Sequence, residues 1–154
     1  MAITTPLVPE RRAPRKTLEP AQTRHALLVE DDDEMRRLLY FVLTRNGFRV
    51  TEARDGSEAL EWLGSLLVMD RRGKNPDLVV TDQRMPAFSG LDVIEAMRFS
   101  GLRAPAILIT AFGDAQTHER AGSLGAVEVL DKPFELSRLV SVARRVTRLS
   151  REDW

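Results

Sequence analysis

A chain of 154 residues is long enough to bury a core without disulfide or metal staples, and one domain with short tails is the expectation. Lysine plus arginine and aspartate plus glutamate both number 23, so no overall charge points to direct nucleic-acid binding or to an anionic membrane. The absence of cysteine excludes disulfides, thiolate zinc sites and cysteine nucleophiles; no apolar run reaches the length of a membrane span or a signal peptide's hydrophobic segment, and a cytoplasmic protein is expected.

Residues 1–24 hold Pro6, Pro9, Pro14 and Pro20 among Arg11, Arg12, Arg15, Lys16 and Arg24, with no periodicity, and read as a disordered basic arm. Five bases against Glu10 and Glu19 give it a net charge of +3, so the remaining 130 residues carry −3. From His25 onward, short apolar runs ("ALLV", "RVTEA", "DLVV", "AILIT", "VEVL") alternate with segments of helical period, which predicts strand and helix five times over.

The first helix is expected to be capped by Asp32 or Asp33, to bury Met35, Leu38, Leu39 and Val42, and to stop at Gly47. A second opens at Ser57 and carries Ala59, Leu60, Leu63 and Leu67 inward. A third covers Gly90 to Phe99, a fourth lies near Asp114 to Leu124, and a fifth runs from Glu135 to about Leu149, leaving 150–154 as a tail. Short buried strands joined by helices imply an α/β fold, a doubly wound parallel sheet covered on both faces. In such sheets ligands bind outside the carboxyl ends of the strands.

At those ends the sequence offers Glu30 and Asp31 after the first strand, Asp82 after the third, Thr110 after the fourth and Lys132 after the fifth. Three carboxylates, a hydroxyl and an ammonium on one edge suit a hard divalent cation with oxygen ligands; magnesium keeps waters or phosphate oxygens in its remaining positions. A cation also answers how five consecutive acids, Glu30 to Glu34, are tolerated, while Asp32 to Glu34 suit the first turn of a helix, where the dipole favours negative charge. Trp62 reads as packing, and His25, placed before the first strand, and His118, on an exposed helix face, read as structural or surface residues.

The segments "LLVEDDDEMRRLL", "EARDGSEAL", "PDLVVTDQRMPAFSGLDVI", "ILITAFGD" and "GAVEVLDKPF" together resemble the receiver domains of two-component response regulators, over residues 25–149. The resemblance implies a flavodoxin-like sheet of strand order 2-1-3-4-5 with five helices, the order found in chemotaxis receivers. It implies that Asp82 accepts a phosphoryl group from a histidine kinase or phosphotransfer protein. Magnesium would be held by Glu30, Asp31, Asp82 and the backbone carbonyl of Arg84, with Thr110 and Lys132 on the phosphoryl oxygens.

Two features depart from the family pattern, Val129 and a long connection. Val129 stands three residues before the lysine, where relatives carry an aromatic ring. The segment "GSLLVMDRRGKNPD", with Arg71, Arg72 and Lys74, lengthens the connection to the third strand. Arg84 and Phe112 follow Asp82 and Thr110 by two residues each and are candidates to obstruct an attacking water.

The resemblance implies no conventional enzyme, and because only "SREDW" follows the last helix, a stand-alone receiver without an output domain, signalling through an unknown downstream protein, is expected. A homodimer is among the assemblies it allows. Two other readings compete: a receiver-like interaction module independent of phosphorylation, and an aspartate-based phosphohydrolase, which would need a second acid where Arg84 stands.

Overall fold

The computed structural model describes residues 23–69, 75–111, 114–125 and 127–152. The five apolar runs form five strands, β1 (Arg24–Val29), β2 (Phe48–Ala53), β3 (Leu78–Asp82), β4 (Ala106–Ala111) and β5 (Val127–Lys132). Between and after them lie α1 (Asp33–Arg45), α2 (Gly56–Val68), α3 (Gly90–Phe99), α4 (Ala115–Ser123) and α5 (Leu136–Glu152). All neighbouring strands are parallel and the order is β2-β1-β3-β4-β5, the expected flavodoxin-like arrangement.

Strand side chains alternate between faces, so each strand feeds two cores. Leu27, Val29, Val79 and Leu108 pack with α2, α3 and α4 residues such as Leu63, Ile94 and Ala121. Their neighbours Leu28, Val80, Ile107 and Ile109 pack on the opposite face with Leu39 and Leu43 of α1 and Leu139 and Val146 of α5. Every residue of β3 is buried, as a central strand covered on both sides requires.

The helix ends follow their local chemistry. Asp32 caps α1 by accepting from Met35 N at 2.7 Å, Asp55 caps α2 by accepting from Glu58 N at 2.8 Å, and Ser89 and Asp92 form a reciprocal capping box on α3. After α1, Gly47 takes φ 89°, the left-handed turn that a glycine stop supplies.

Some expectations are corrected. On α1 the inward residues are Leu39 and Leu43, whereas Leu38 is 42 % exposed. On α2 they are Ala59, Leu63 and Leu66, a spacing of four and three that keeps one stripe on the sheet and turns Leu67 outward. α5 runs to Glu152, beyond its expected end. Arg24 belongs to β1 and not to the arm, and His25, expected before the strand, lies buried within it. There the His25 ring is 2.8 Å from Thr51 Oγ1 and edge-on to Trp62 at 5.5 Å, so Trp62 is a packing residue, as expected. Residues 1–22 of the arm, together with Arg71, Arg72, Lys74, Phe112 and Trp154, lie outside the described residues.

Candidate functional site

Strand register decides which side chains meet at the carboxyl edge. Val29 pairs with Thr81, so Glu30, just past β1, comes abreast of Asp82, the last residue of β3. Asp82 pairs with Ile109, Thr110 with Asp131, and Ala111 with Lys132, so Thr110, next to last in β4, and Lys132, the last residue of β5, stand on the same rim. Carboxylate oxygens of Glu30, Asp31 and Asp82 lie within 4.8 Å of one another. Lys132 Nζ donates to Asp82 Oδ1 at 2.9 Å, and the Arg84 amide donates to Asp82 Oδ2 at 3.2 Å. Thr110 is buried, and the Lys132–Pro133 peptide that follows the site is cis.

These groups are not equally wet. Glu30 and Asp82 are buried while Asp31 is exposed, so a ligand would approach over Asp31. Glu30 Oε1 accepts from the Asp32 amide at 3.1 Å, but Oε2 is sealed from solvent without a hydrogen-bond partner. Burial, opposed by that amide bond and reinforced by the charge of Asp82, pushes the Glu30 carboxyl up to about 7. Burial also works against the Lys132 ammonium, but its hydrogen bond to Asp82 and the charges of Asp82, Glu30 and Asp31 outweigh this and raise its pKa above the ordinary lysine value.

The donor set fits magnesium. It is a hard ion that takes one or two carboxylates and completes an octahedron with waters and phosphate oxygens at about 2.0–2.1 Å. The orphaned Oε2 of Glu30 supplies a buried oxygen that needs a cation or a proton, and the neighbouring oxygens of Asp31 and Asp82 are near enough to share the ion.

Several supporting residues escaped sequence reasoning. Arg36 donates from Nη1 to the Glu30 carbonyl at 2.9 Å, bonds to Asp33 through Nη2 and approaches Glu52 at 3.6 Å, so a base next to the acidic run relieves part of its repulsion. Its signal was the spacing of three from Asp33 on a helix. Gln83 accepts from Leu91 N through its side chain at 3.0 Å and from Gly90 N through its backbone at 3.1 Å, tying the N-terminus of α3 to the residue after Asp82. A Cβ on Gly90 would stand 2.3 Å from the Asp82 carbonyl oxygen, so that close approach requires glycine. His118, read from the sequence as a surface residue, lies 2.8 Å from Asp131 Oδ1 across α4 and β5. Val129, in the place of the usual aromatic, packs partly buried against the α2–α4 core.

The fold and this rim of acids, hydroxyl and ammonium define an α/β signalling domain of the receiver class. The sequence model for the response regulator receiver domain matches residues 26–144, and the chain belongs to that family. It is 32 % identical over 123 residues to the regulatory protein AtoC of Escherichia coli, covering 80 % of this chain and 25 % of AtoC. Against the alkaline phosphatase synthesis transcriptional regulatory protein SphR of Synechococcus elongatus it is 35 % identical over 135 residues, covering 82 % of this chain and 50 % of SphR. The fold matches the Vibrio cholerae chemotaxis protein CheY4 with a TM-score of 0.68 at 25 % identity, over 80 % of this chain and 98 % of the other. The chain thus spans from a quarter to about half the length of these two curated relatives.

Proposed function

We propose that the domain formed by residues 25–149 is a phosphorylated receiver in two-component signalling, with Asp82 as the acceptor. The observation that carries this reading is the buried Asp82 carboxylate held at 2.9 Å by Lys132 and flanked by Glu30 and Asp31. Such a carboxylate can attack the phosphorus of a phosphohistidine or small phosphodonor, forming an acyl phosphate while the donor leaves with its bonding electrons. Transfer through a loose transition state needs mainly positioning and charge neutralisation.

Magnesium would be held by Glu30, Asp31, Asp82 and the Arg84 carbonyl, and supplies charge neutralisation on the transferring group when bound. The protein's own residues do the rest. The Arg84 amide and Lys132 orient the Asp82 carboxylate before attack. Lys132 is kept charged by the surrounding acids and can follow the negative charge onto the phosphoryl oxygens, while the Thr110 hydroxyl donates a hydrogen bond to one of them. The donor would be a histidine kinase or phosphotransfer protein in the cytoplasm, and the phosphorylated surface would be read by a downstream protein. No helix among the described residues is long and apolar enough to cross a membrane. Self-phosphorylation from small donors and slow autodephosphorylation would be the only chemistry, not substrate turnover.

Incubation with acetyl phosphate and magnesium, followed by mass spectrometry, tests the assignment. One phosphoryl group on Asp82, absent from Asp82→Asn, is the expected result. Normal labelling of that variant, or labelling elsewhere in the wild type, would overturn it.

A further inference from the structure

Glu30 and Asp31 are consecutive, so one peptide unit sets the angle between their carboxylates. That unit contains the Glu30 carbonyl and the Asp31 amide and is planar, so whatever holds its oxygen also fixes where the Asp31 side chain leaves the backbone. The oxygen is held by Arg36, whose Nη1 donates to it at 2.9 Å. On the other side of the residue, the Glu30 amide donates to the Ala53 carbonyl of β2 at 3.1 Å. The same guanidinium bonds through Nη2 to Asp33, in the first turn of α1, and its Nε stands 3.6 Å from Glu52 of β2. The Arg36 side chain is only 11 % exposed, so the turn and not the solvent determines where it lies. One side chain therefore ties the end of β1 to α1 and to β2 at the turn that carries both acids.

We propose that Arg36 is a positioning residue for the metal: by pinning the 30–31 peptide it sets Glu30 and Asp31 in place before the ion arrives. The inference rests on the reading of Glu30, Asp31 and Asp82 as a magnesium site, and it goes beyond relief of repulsion among the acids. Charge and position predict opposite signs. A guanidinium close to a cation site repels the cation, so by charge alone removing Arg36 tightens magnesium. By position, its removal frees the peptide, and binding must then include ordering the two carboxylates, which weakens it. Magnesium demands a near-ideal octahedron and is sensitive to such slack. A lysine keeps the charge but not the planar fork, and its single nitrogen cannot bridge the Glu30 carbonyl, Asp33 and Glu52 together.

Magnesium is titrated calorimetrically into the full chain at fixed pH and ionic strength, for wild type, Arg36→Gln, Arg36→Lys and Arg37→Gln. Arg37 is the exposed neighbour on α1, so its replacement removes the same charge and leaves the Arg36 bonds in place. In the metal-free protein, amide hydrogen exchange is read across β3 and at Asp32, whose N–H donates to Glu30 Oε1 at 3.1 Å. Arg36→Gln should raise the magnesium dissociation constant on the order of tenfold, and Arg36→Lys at least about threefold. Arg37→Gln should leave it unchanged or slightly lower. The Asp32 amide should exchange faster in both Arg36 variants while β3 keeps its wild-type protection.

The positioning role is overturned if Arg36→Gln binds magnesium as tightly as wild type or more tightly, if Arg36→Lys keeps wild-type affinity, or if Arg37→Gln weakens binding as much as Arg36→Gln does. An unchanged Asp32 amide would also overturn it, as would faster exchange throughout β3, which would make Arg36 a general prop of the fold. If Arg36→Gln does not fold, Arg36→Lys decides on the same criteria. Wild-type protein that binds no magnesium would refute the site reading itself and take this inference with it, whereas a binding wild type matched by Arg36→Gln refutes the positioning alone.

Discussion

Magnesium affinity should depend on pH through Glu30, the buried acid whose folded environment holds its proton. Burial raises this carboxyl from 4.5 to about 7, helped by the charge of Asp82 and opposed by the Asp32 amide and Lys132. A metal must displace that proton, so binding is coupled to its release. With a pKa of about 7, roughly a tenth of the sites are ionised at pH 6 and roughly nine-tenths at pH 8. The apparent dissociation constant should therefore fall about tenfold across that interval, near 1.4 kcal/mol, with about 0.9 proton released per ion at pH 6 and about 0.1 at pH 8. Lys132, raised above its ordinary value, keeps its charge throughout and adds no slope. Titration calorimetry in buffers of different ionisation enthalpy counts the protons directly.

The same group sets the metal-free stability. Because the folded pKa is raised, the unfolded chain gives up the proton first, and stability is lost as pH rises from about 4.5 to about 7, by on the order of 3 kcal/mol. Glu30→Gln should lack that slope. A flat affinity between pH 6 and 8 with no protons released would refute the burial argument for Glu30.

Magnesium at about a hundred times its dissociation constant should stabilise the fold by about 2.7 kcal/mol and raise the melting midpoint by roughly 10 °C above that in chelator; an unchanged midpoint would remove the metal from Glu30, Asp31 and Asp82. Gly90→Ala forces a Cβ against the Asp82 carbonyl and should cost about 1–3 kcal/mol in denaturant melts while slowing acyl-phosphate formation. Arg98 donates to the carbonyls of Leu102, Ala104, Leu124 and Gly125, so Arg98→Ala should cost about 2–3 kcal/mol and speed amide exchange at the C-terminal end of α4 more than in α1. Since Val129 offers no ring to rotate, amide shifts on adding a beryllofluoride phosphoryl mimic should concentrate from Thr110 to Gln116; large shifts across Glu128 and the outer face of α5 with few in that loop would contradict this.

Much of this protein was legible along the chain because its signals are local. Alternating apolar runs marked the strands, Asp32 stood among the two candidate caps of α1, and the strand-end rule selected Glu30, Asp31, Asp82, Thr110 and Lys132. The tertiary structure decided what depends on rotation, register and distant neighbours. Whether Leu38 and Val42 or Leu39 and Leu43 lie deepest turns on a rotation of one helical position, which periodicity leaves open when both flanks are apolar. That Glu30 keeps an unpartnered buried oxygen, and that His118 meets Asp131, follow from elements brought together across the fold. The groove lined by Val42 and Asn46 of α1 and by Leu136, Val140 and Arg144 of α5 has the same origin. Its two walls are separated along the chain by the strands β2 to β5, and only the packing of α5 beside α1 makes them one surface.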